Sequence, residues 1–103
     1  MSSSTPGRVC LHLVVRSSDA AIESCLAQFG EGDTVLFIDD GVVLLTAEPN
    51  TRFEPLFTNA FYSVEDLDAR GLAALAARAG VRTVNDSAFP ELLQRHDLCL
   101  TWK

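Results

Sequence analysis

Apolar residues gather into short runs whose periodicity alternates between that of a buried strand and that of an amphipathic helix. Val9-Cys10-Leu11-His12-Leu13-Val14-Val15 is almost continuously apolar, which suits a strand covered on both faces of a parallel sheet. Arg16-Ser17-Ser18-Asp19 supplies turn and N-cap chemistry. Ile22, Cys25, Leu26 and Phe29 then recur at i, i+3, i+4 and i+7, predicting a helix of about ten residues that begins near Ala20 and stops at Gly30. Gly32-Asp33 turns the chain into a second strand, Thr34 to Ile38. Asp39-Asp40-Gly41 follows, with Asp39 or Asp40 expected to cap a short apolar helix over Val42 to Ala47. Arg52 to Phe57 has helical spacing at Phe53, Leu56 and Phe57 but holds Pro55, so its boundaries stay open.

The second half repeats the alternation. Ala60 to Val64 reads as a third strand, and Glu65-Asp66 heads a helical stretch that Gly71 interrupts and Gly80 ends. Val81 to Val84 is a fourth strand. Asn85-Asp86-Ser87 caps a helix over Phe89 to His96, with Phe89, Leu92 and Leu93 facing inward and Pro90 in the tolerant first turn. Leu98 to Trp102 closes as a fifth strand. Strand and helix alternating in this way predict an α/β chain: a small doubly wound, flavodoxin-like three-layer fold around a mostly parallel sheet of about five strands. Ligands and docking groups of such folds gather at the carboxyl ends of the strands. Those ends are Arg16-Ser17-Ser18, Asp39-Asp40-Gly41, Val64-Glu65-Asp66 and Asn85-Asp86-Ser87.

With 103 residues, 48% of them apolar and 21% charged, the chain has the size and balance of one packed domain. Residues 9–103 are expected to form it, with residues 1–8 as a flexible extension. Eight basic residues against fourteen acidic ones leave a net charge of -6, which disfavours direct capture of nucleic-acid phosphates. No apolar run is long enough to span a membrane and the first residues lack the apolar core of a secretory signal, so a cytoplasmic location is expected.

Chemistry-bearing motifs are sparse. The first strand-to-helix turn lacks the glycines of a dinucleotide or P-loop site; Arg16-Ser17-Ser18 offers at most a remote phosphate- or flavin-binding reading. Asp39 and Asp40 are adjacent and diverge, so capping outweighs metal binding. His12 reads as an interior histidine with its hydrogen bonds satisfied, and His96 as a C-terminal helix cap. The three cysteines have no Cys-x-x-Cys or zinc-finger spacing. Cys10 and Cys99, inside strands, read as inert core thiols. Cys25 lies to one side of its helix stripe and could reach the surface or a subunit boundary, although a thiol on such a margin is more often structural and no helix N-terminus is near enough to lower its pKa.

The ordered set of segments resembles the DsrH/TusB family: Leu11-His12, Glu23-Ser24-Cys25-Leu26, Gly32-Asp33, Asp40-Gly41-Val42, Glu65-Asp66-Leu67-Asp68-Ala69-Arg70-Gly71-Leu72, then Asp86, Phe89 and Trp102. The resemblance runs over about Cys10 to Lys103 and departs from the family pattern after the first strand, where Arg16-Ser17-Ser18 lacks a proline. It implies a subunit of a cytoplasmic sulfur-relay complex of TusBCD/DsrEFH type, a heterohexamer with DsrE/TusD-like and DsrF/TusC-like sister subunits. Sulfur would leave the complex for a DsrC/TusE-like acceptor and serve tRNA wobble-uridine 2-thiolation. The chain itself would be mainly an assembly and docking subunit without cofactor, metal, membrane or direct nucleic-acid contact. Asp40, Gly41, Val42, Arg70 and Trp102 are the interface candidates it implies. Cys25 matches a cysteine of Dsr-type members, and the alternative is a persulfide carrier through Cys25 in dissimilatory sulfur oxidation. A carrier needs an accessible thiol that ionises readily; full burial of Cys25 would remove that reading.

Overall fold

The computed structural model describes residues 9–103, so the expected extension over 1–8 lies outside the described residues. Five strands, β1 (Cys10–Val14), β2 (Thr34–Phe37), β3 (Ala60–Ser63), β4 (Thr83–Val84) and β5 (Leu98–Trp102), form one sheet in the order β4-β3-β2-β1-β5. Every pairing is parallel. The helices are α1 (Asp19–Gln28), α2 (Glu54–Phe57), α3 (Val64–Ala69), α4 (Ala73–Ala79) and α5 (Phe89–Gln94). No helix among the described residues is long and apolar enough to cross a membrane.

Strand alternation divides the core in two. Val14, Val35, Phe37, Ala60 and Tyr62 meet Ile22, Cys25, Leu56, Leu67 and Ala76 on the face carrying α1 to α4. Leu11 and Leu36 turn to the opposite face, where they meet Leu92 of α5 with Leu13, Ile38, Phe61, Val84 and Phe89 around them. The asymmetry follows from strand order: three crossovers step one way from β1 to β4, and the last returns past β1 and places its helix on the other side. The predicted layers are present, with four helices against one.

Local chemistry places the helix starts where the sequence suggests. Ser18 caps α1 by accepting from Ala21 N–H, Ser63 caps α3 through Asp66 N–H, and Asn85 accepts from Ala88 N–H at a 3-10 turn before α5. Gly80 ends α4 in the left-handed conformation. The open segment becomes a 3-10 turn, Thr51–Phe53, running into α2, with Pro55 in the first turn, where its missing N–H leaves no bond unmade.

Three expectations change. The segment after β2 is a 3-10 helix over Asp39–Thr46, and neither Asp39 nor Asp40 caps it; its N-cap is Ile38, without a side-chain bond. Leu93 faces solvent because the six-residue α5 has room for only one inward row, filled by Phe89 and Leu92. Cys99 is exposed, since β5 is an edge strand and its outer side lacks a neighbour among the described residues.

The strand starts are tied by a polar network centred on Asp33, immediately before β2. Its Oδ1 accepts from Cys10 N–H at 2.9 Å, and its Oδ2 accepts from Gly30 N–H at 2.9 Å and His12 Nε2–H at 2.8 Å. The tautomer follows from the far side of the ring: Trp102 Nε1–H can only donate, and it donates to His12 Nδ1 at 3.0 Å. His12 is fully buried and satisfied at both nitrogens. His96 closes a second chain of bonds, donating from Nδ1 to the Leu92 carbonyl at 2.7 Å, as a C-terminal cap does, and accepting at Nε2 from the Thr34 hydroxyl at 2.8 Å. Asn59 donates to that same hydroxyl at 3.0 Å.

Removing the Asp33 carboxylate leaves two backbone N–H groups and a buried imidazole N–H unpartnered, each costing about 1–3 kcal/mol. Asp33→Ala is therefore expected to lose about 3 kcal/mol or more in urea unfolding. Asp33→Asn will not restore it, because an amide aims a donor at one or two of the three donors.

Candidate functional site

At the opposite rim, where the strands end, Arg70 just beyond α3 gathers the acidic residues that follow β2. Its Nη2 donates to Asp39 Oδ1 and to Asp40 Oδ1, each at 2.7 Å, and its Nε reaches Asp40 at 3.2 Å. Asp66 lies 3.8 Å from the guanidinium and accepts Asp39 N–H at 2.7 Å. The hydrogen bond to Asp40, reinforced by that to Asp39, raises the Arg70 pKa further above its normal range. Asp39 has φ 52°, a left-handed conformation that aspartate tolerates better than most residues. Arg70 and Asp66 hold it there from both sides.

Gly41 follows at a position only glycine fits, since a Cβ there would lie 2.0 Å from the Val14 carbonyl oxygen. That oxygen accepts Ile38 N–H at 3.1 Å, so the chain leaves β2 pressed against the end of β1. Of the interface candidates, Gly41 and Val42 are thus buried inside the chain and shape the turn. Asp40 is exposed and Arg70 partly so. Trp102 is half-buried, its indole N–H committed to His12.

Beside this patch, Leu44 and Leu45 leave the 3-10 helix half-buried. With Ile22, Phe53, Phe57 and Tyr62 they line a cleft of about 420 Å³ between α1 and the segment leading into α2. The turn Arg16-Ser17-Ser18 offers less to a phosphate than its composition suggests, because the Ser18 hydroxyl accepts the Ala21 N–H as a helix cap.

The thiols divide differently from the sequence reading. Cys25, expected at the margin of its helix stripe, is 0% exposed against β1 and β2, with Val14 and Val35 in the same core cluster. Burial first, then the nearby Cys10 and Asp33, pushes its thiol up to about 12. Cys10 is raised to about 11, mainly by burial and then by Asp33. Cys10, His12 and Asp33 come within 4.8 Å of one another, but both His12 nitrogens and both Asp33 oxygens are used within the fold. The exposed thiol is Cys99 on β5.

Sequence reasoning missed Asp33, read only as a turn residue, and the capture of Asp39 and Asp40 by Arg70. A signal existed for the first: a histidine inside an apolar strand needs buried partners, and the nearest candidate precedes the neighbouring strand.

The model of the family described as DsrH like protein matches residues 16–98. The chain belongs to the DsrH family. It is also 36% identical over 87 residues to Protein TusB of Enterobacter sp. (strain 638), an alignment covering 81% of this chain and 88% of that protein. The family match spans α1 with Cys25, Asp33 and the Arg70 patch of this DsrH chain, and stops short of β1 and of Trp102.

Because Cys10 and Cys25 ionise near 11 and 12 when folded and near 9.0 when unfolded, the folded state retains protons that the unfolded state has lost. Their contribution to stability is expected to be full below pH 9 and to fall as pH rises toward 12. At pH 8 a disulfide reagent should count one rapid thiol, Cys99, in the native chain and three in denaturant. Cys25 should react about a thousandfold or more slowly than a free thiol.

Proposed function

We propose that this DsrH-family chain is the assembly and docking subunit of a sulfur-relay complex of TusBCD/DsrEFH type, in which sister subunits carry the transferred sulfur. Family membership supports a sulfur-relay subunit. The observation that carries the division of labour is Cys25: a thiol fully buried and ionising near 12 has almost no thiolate at neutral pH with which to accept or pass on a persulfide. Persulfide transfer needs a thiolate that one partner reaches to load and another reaches to unload. Cys25 offers neither access nor charge.

What the chain presents instead is a fixed surface. The Arg70 patch carries three carboxylates around one guanidinium, an excess of negative charge beside the half-apolar cleft of Leu44, Leu45, Phe53 and Phe57. An acidic rim next to an apolar groove suits a folded protein partner with a basic, apolar face, since the rim orients the encounter and the groove supplies burial. Asp40 and Arg70 are the interface residues of this reading, with Gly41 and Val42 shaping the turn beneath them. DsrE/TusD-like and DsrF/TusC-like sister subunits in a cytoplasmic heterohexamer are the partners, a DsrC/TusE-like protein receives the sulfur, and tRNA wobble-uridine 2-thiolation is the process served. The chain's net charge of -6 accords with meeting carrier proteins and not tRNA itself.

The test is reconstitution with both sister subunits and a persulfide donor, followed by intact-mass spectrometry. An addition of about 32 Da, one sulfur atom, is expected on a sister subunit and absent from this chain, and Cys25→Ser should relay sulfur normally while retaining the fold. A labile adduct on Cys25, or relay lost in Cys25→Ser with assembly intact, would instead establish a carrier. Arg70→Glu should weaken co-assembly by about tenfold or more although it adds negative charge, because it releases Asp39 and Asp40 from the geometry the partner meets, with Arg70→Lys between it and the natural chain because lysine cannot hold two carboxylates in one plane.

A further inference from the structure

The sheet ends unequally. At one edge β4 is two residues long, too short to template another strand. At the other, β5 runs for five residues beyond β1, and no described residue pairs with its outer side. Proteins blunt open edges with charges, prolines, bulges or a covering loop. Leu98-Cys99-Leu100-Thr101-Trp102 has neither charge nor proline, and Leu98 is 48% exposed.

The backbone states which groups are free. The Trp102 carbonyl accepts Val15 N–H at 3.1 Å, so Trp102 turns its backbone groups toward β1, and by the two-residue alternation of a ladder so do Leu100 and Leu98. Cys99 and Thr101 turn theirs outward. An antiparallel partner of the same sequence must set outward residues against outward residues, which allows few registers. Cys99 opposite Cys99 of a second copy would bring Lys103 against Arg95. Thr101 opposite Thr101 would leave Leu98 overhanging. Cys99 opposite Thr101 sets Leu98 against Trp102, Leu100 against Leu100 and, at both ends, Lys103 against Asp97. In that register the α1 face gains an apolar cross-strand ladder and the ends gain opposite charges. Asp97 accepts Val9 N–H at Oδ2 and donates its own N–H to the Val9 carbonyl, each at 2.9 Å, so it is held at the strand start with the charge that the lysine would meet.

We infer that β5 is a homotypic docking edge that pairs with β5 of a second copy, antiparallel about a two-fold axis at Leu100, joining two five-stranded sheets into one. A two-fold contact of this kind closes both open edges at once. It is independent of the sulfur-relay reading and leaves the Arg70 patch free.

Sedimentation equilibrium of the full chain, from about 1 μM to about 1 mM, should show the mass rising from one chain toward two. Thr101→Pro removes an outward N–H and no bond to β1, so it should weaken the dimer by about tenfold or more with an unchanged circular dichroism spectrum. In a Cys99→Ser background, Leu100→Cys should give a covalent dimer on mild oxidation, since opposed residues of a non-hydrogen-bonded pair lie within disulfide reach. The native Cys99, offset diagonally from its counterpart, should not. A single-chain mass at every concentration overturns the inference, whether residues 1–8, another partner or solvent covers the edge. So does a dimer indifferent to Thr101→Pro, or one that oxidises through Cys99 and not through Leu100→Cys.

Discussion

The carboxylate of Asp33 is the constraint on which the architecture depends. It accepts hydrogen bonds from the backbone of β1, from the end of the α1 connection and from His12 in the middle of β1. A buried carboxylate is tolerable only when its lone pairs are used, and here the three donors come from segments that must converge for the sheet to form. The bond to Cys10 N–H stands where the β1–β2 ladder begins, Leu11 opposite Thr34 being its first pair, so Asp33 sets register as well as holding the strands. Through His12 the same network reaches Trp102 at the far end of the chain. The last strand is thereby fixed to the first in a geometry that apolar packing alone, which is indifferent to small slips, would not specify.

The buried polar network and the exposed charged patch occupy opposite rims of the sheet. The amino ends of the strands are closed by Asp33, by the Asn59–Thr34–His96 chain and by the exchange between Val9 and Asp97. The carboxyl ends carry the Arg70 patch, whose Asp39 and Asp40 are exposed and whose turn is shaped by a left-handed Asp39 and a glycine pressed against β1. Backbone held in an uncommon conformation by side chains from two other segments is kept at some cost, and such positions cluster where a surface has to present a defined shape. The separation allows the Arg70 rim to vary in charge without disturbing the polar network at the other end of the strands.

The strand and helix order, the parallel sheet, the caps at Ser18 and Asn85, and His12 as a satisfied interior histidine were legible because each rests on neighbours in sequence: periodicity, capping chemistry, a polar residue in an apolar run. What was not legible depended on distance along the chain. Arg70 lies 30 residues from Asp40, and local propensity makes Asp39 and Asp40 helix caps, the role aspartates have after a strand when no guanidinium competes. Strand order decided the cysteines: β5 reads like a core strand, yet the last crossover puts it at an edge and exposes Cys99. Cys25 stayed open between a surface and a structural reading, because its offset on the helical wheel says nothing of how far the sheet wraps around α1; the sheet covers it fully.

The constraint that holds the fold also bears on the chemistry. Asp33 is among the groups that raise both Cys10 and Cys25, second to burial for Cys10 and after burial and Cys10 itself for Cys25. A sulfur-accepting thiol calls for the reverse surroundings, a cation or a helix N-terminus with access to solvent. Freeing Cys25 to ionise would mean opening the α1–sheet core and weakening the carboxylate network on which β1 and β2 depend. The arrangement that firms the α1–sheet core therefore works against Cys25 taking up sulfur, because the burial that holds the helix to the sheet is the same burial that keeps the thiol protonated and out of reach.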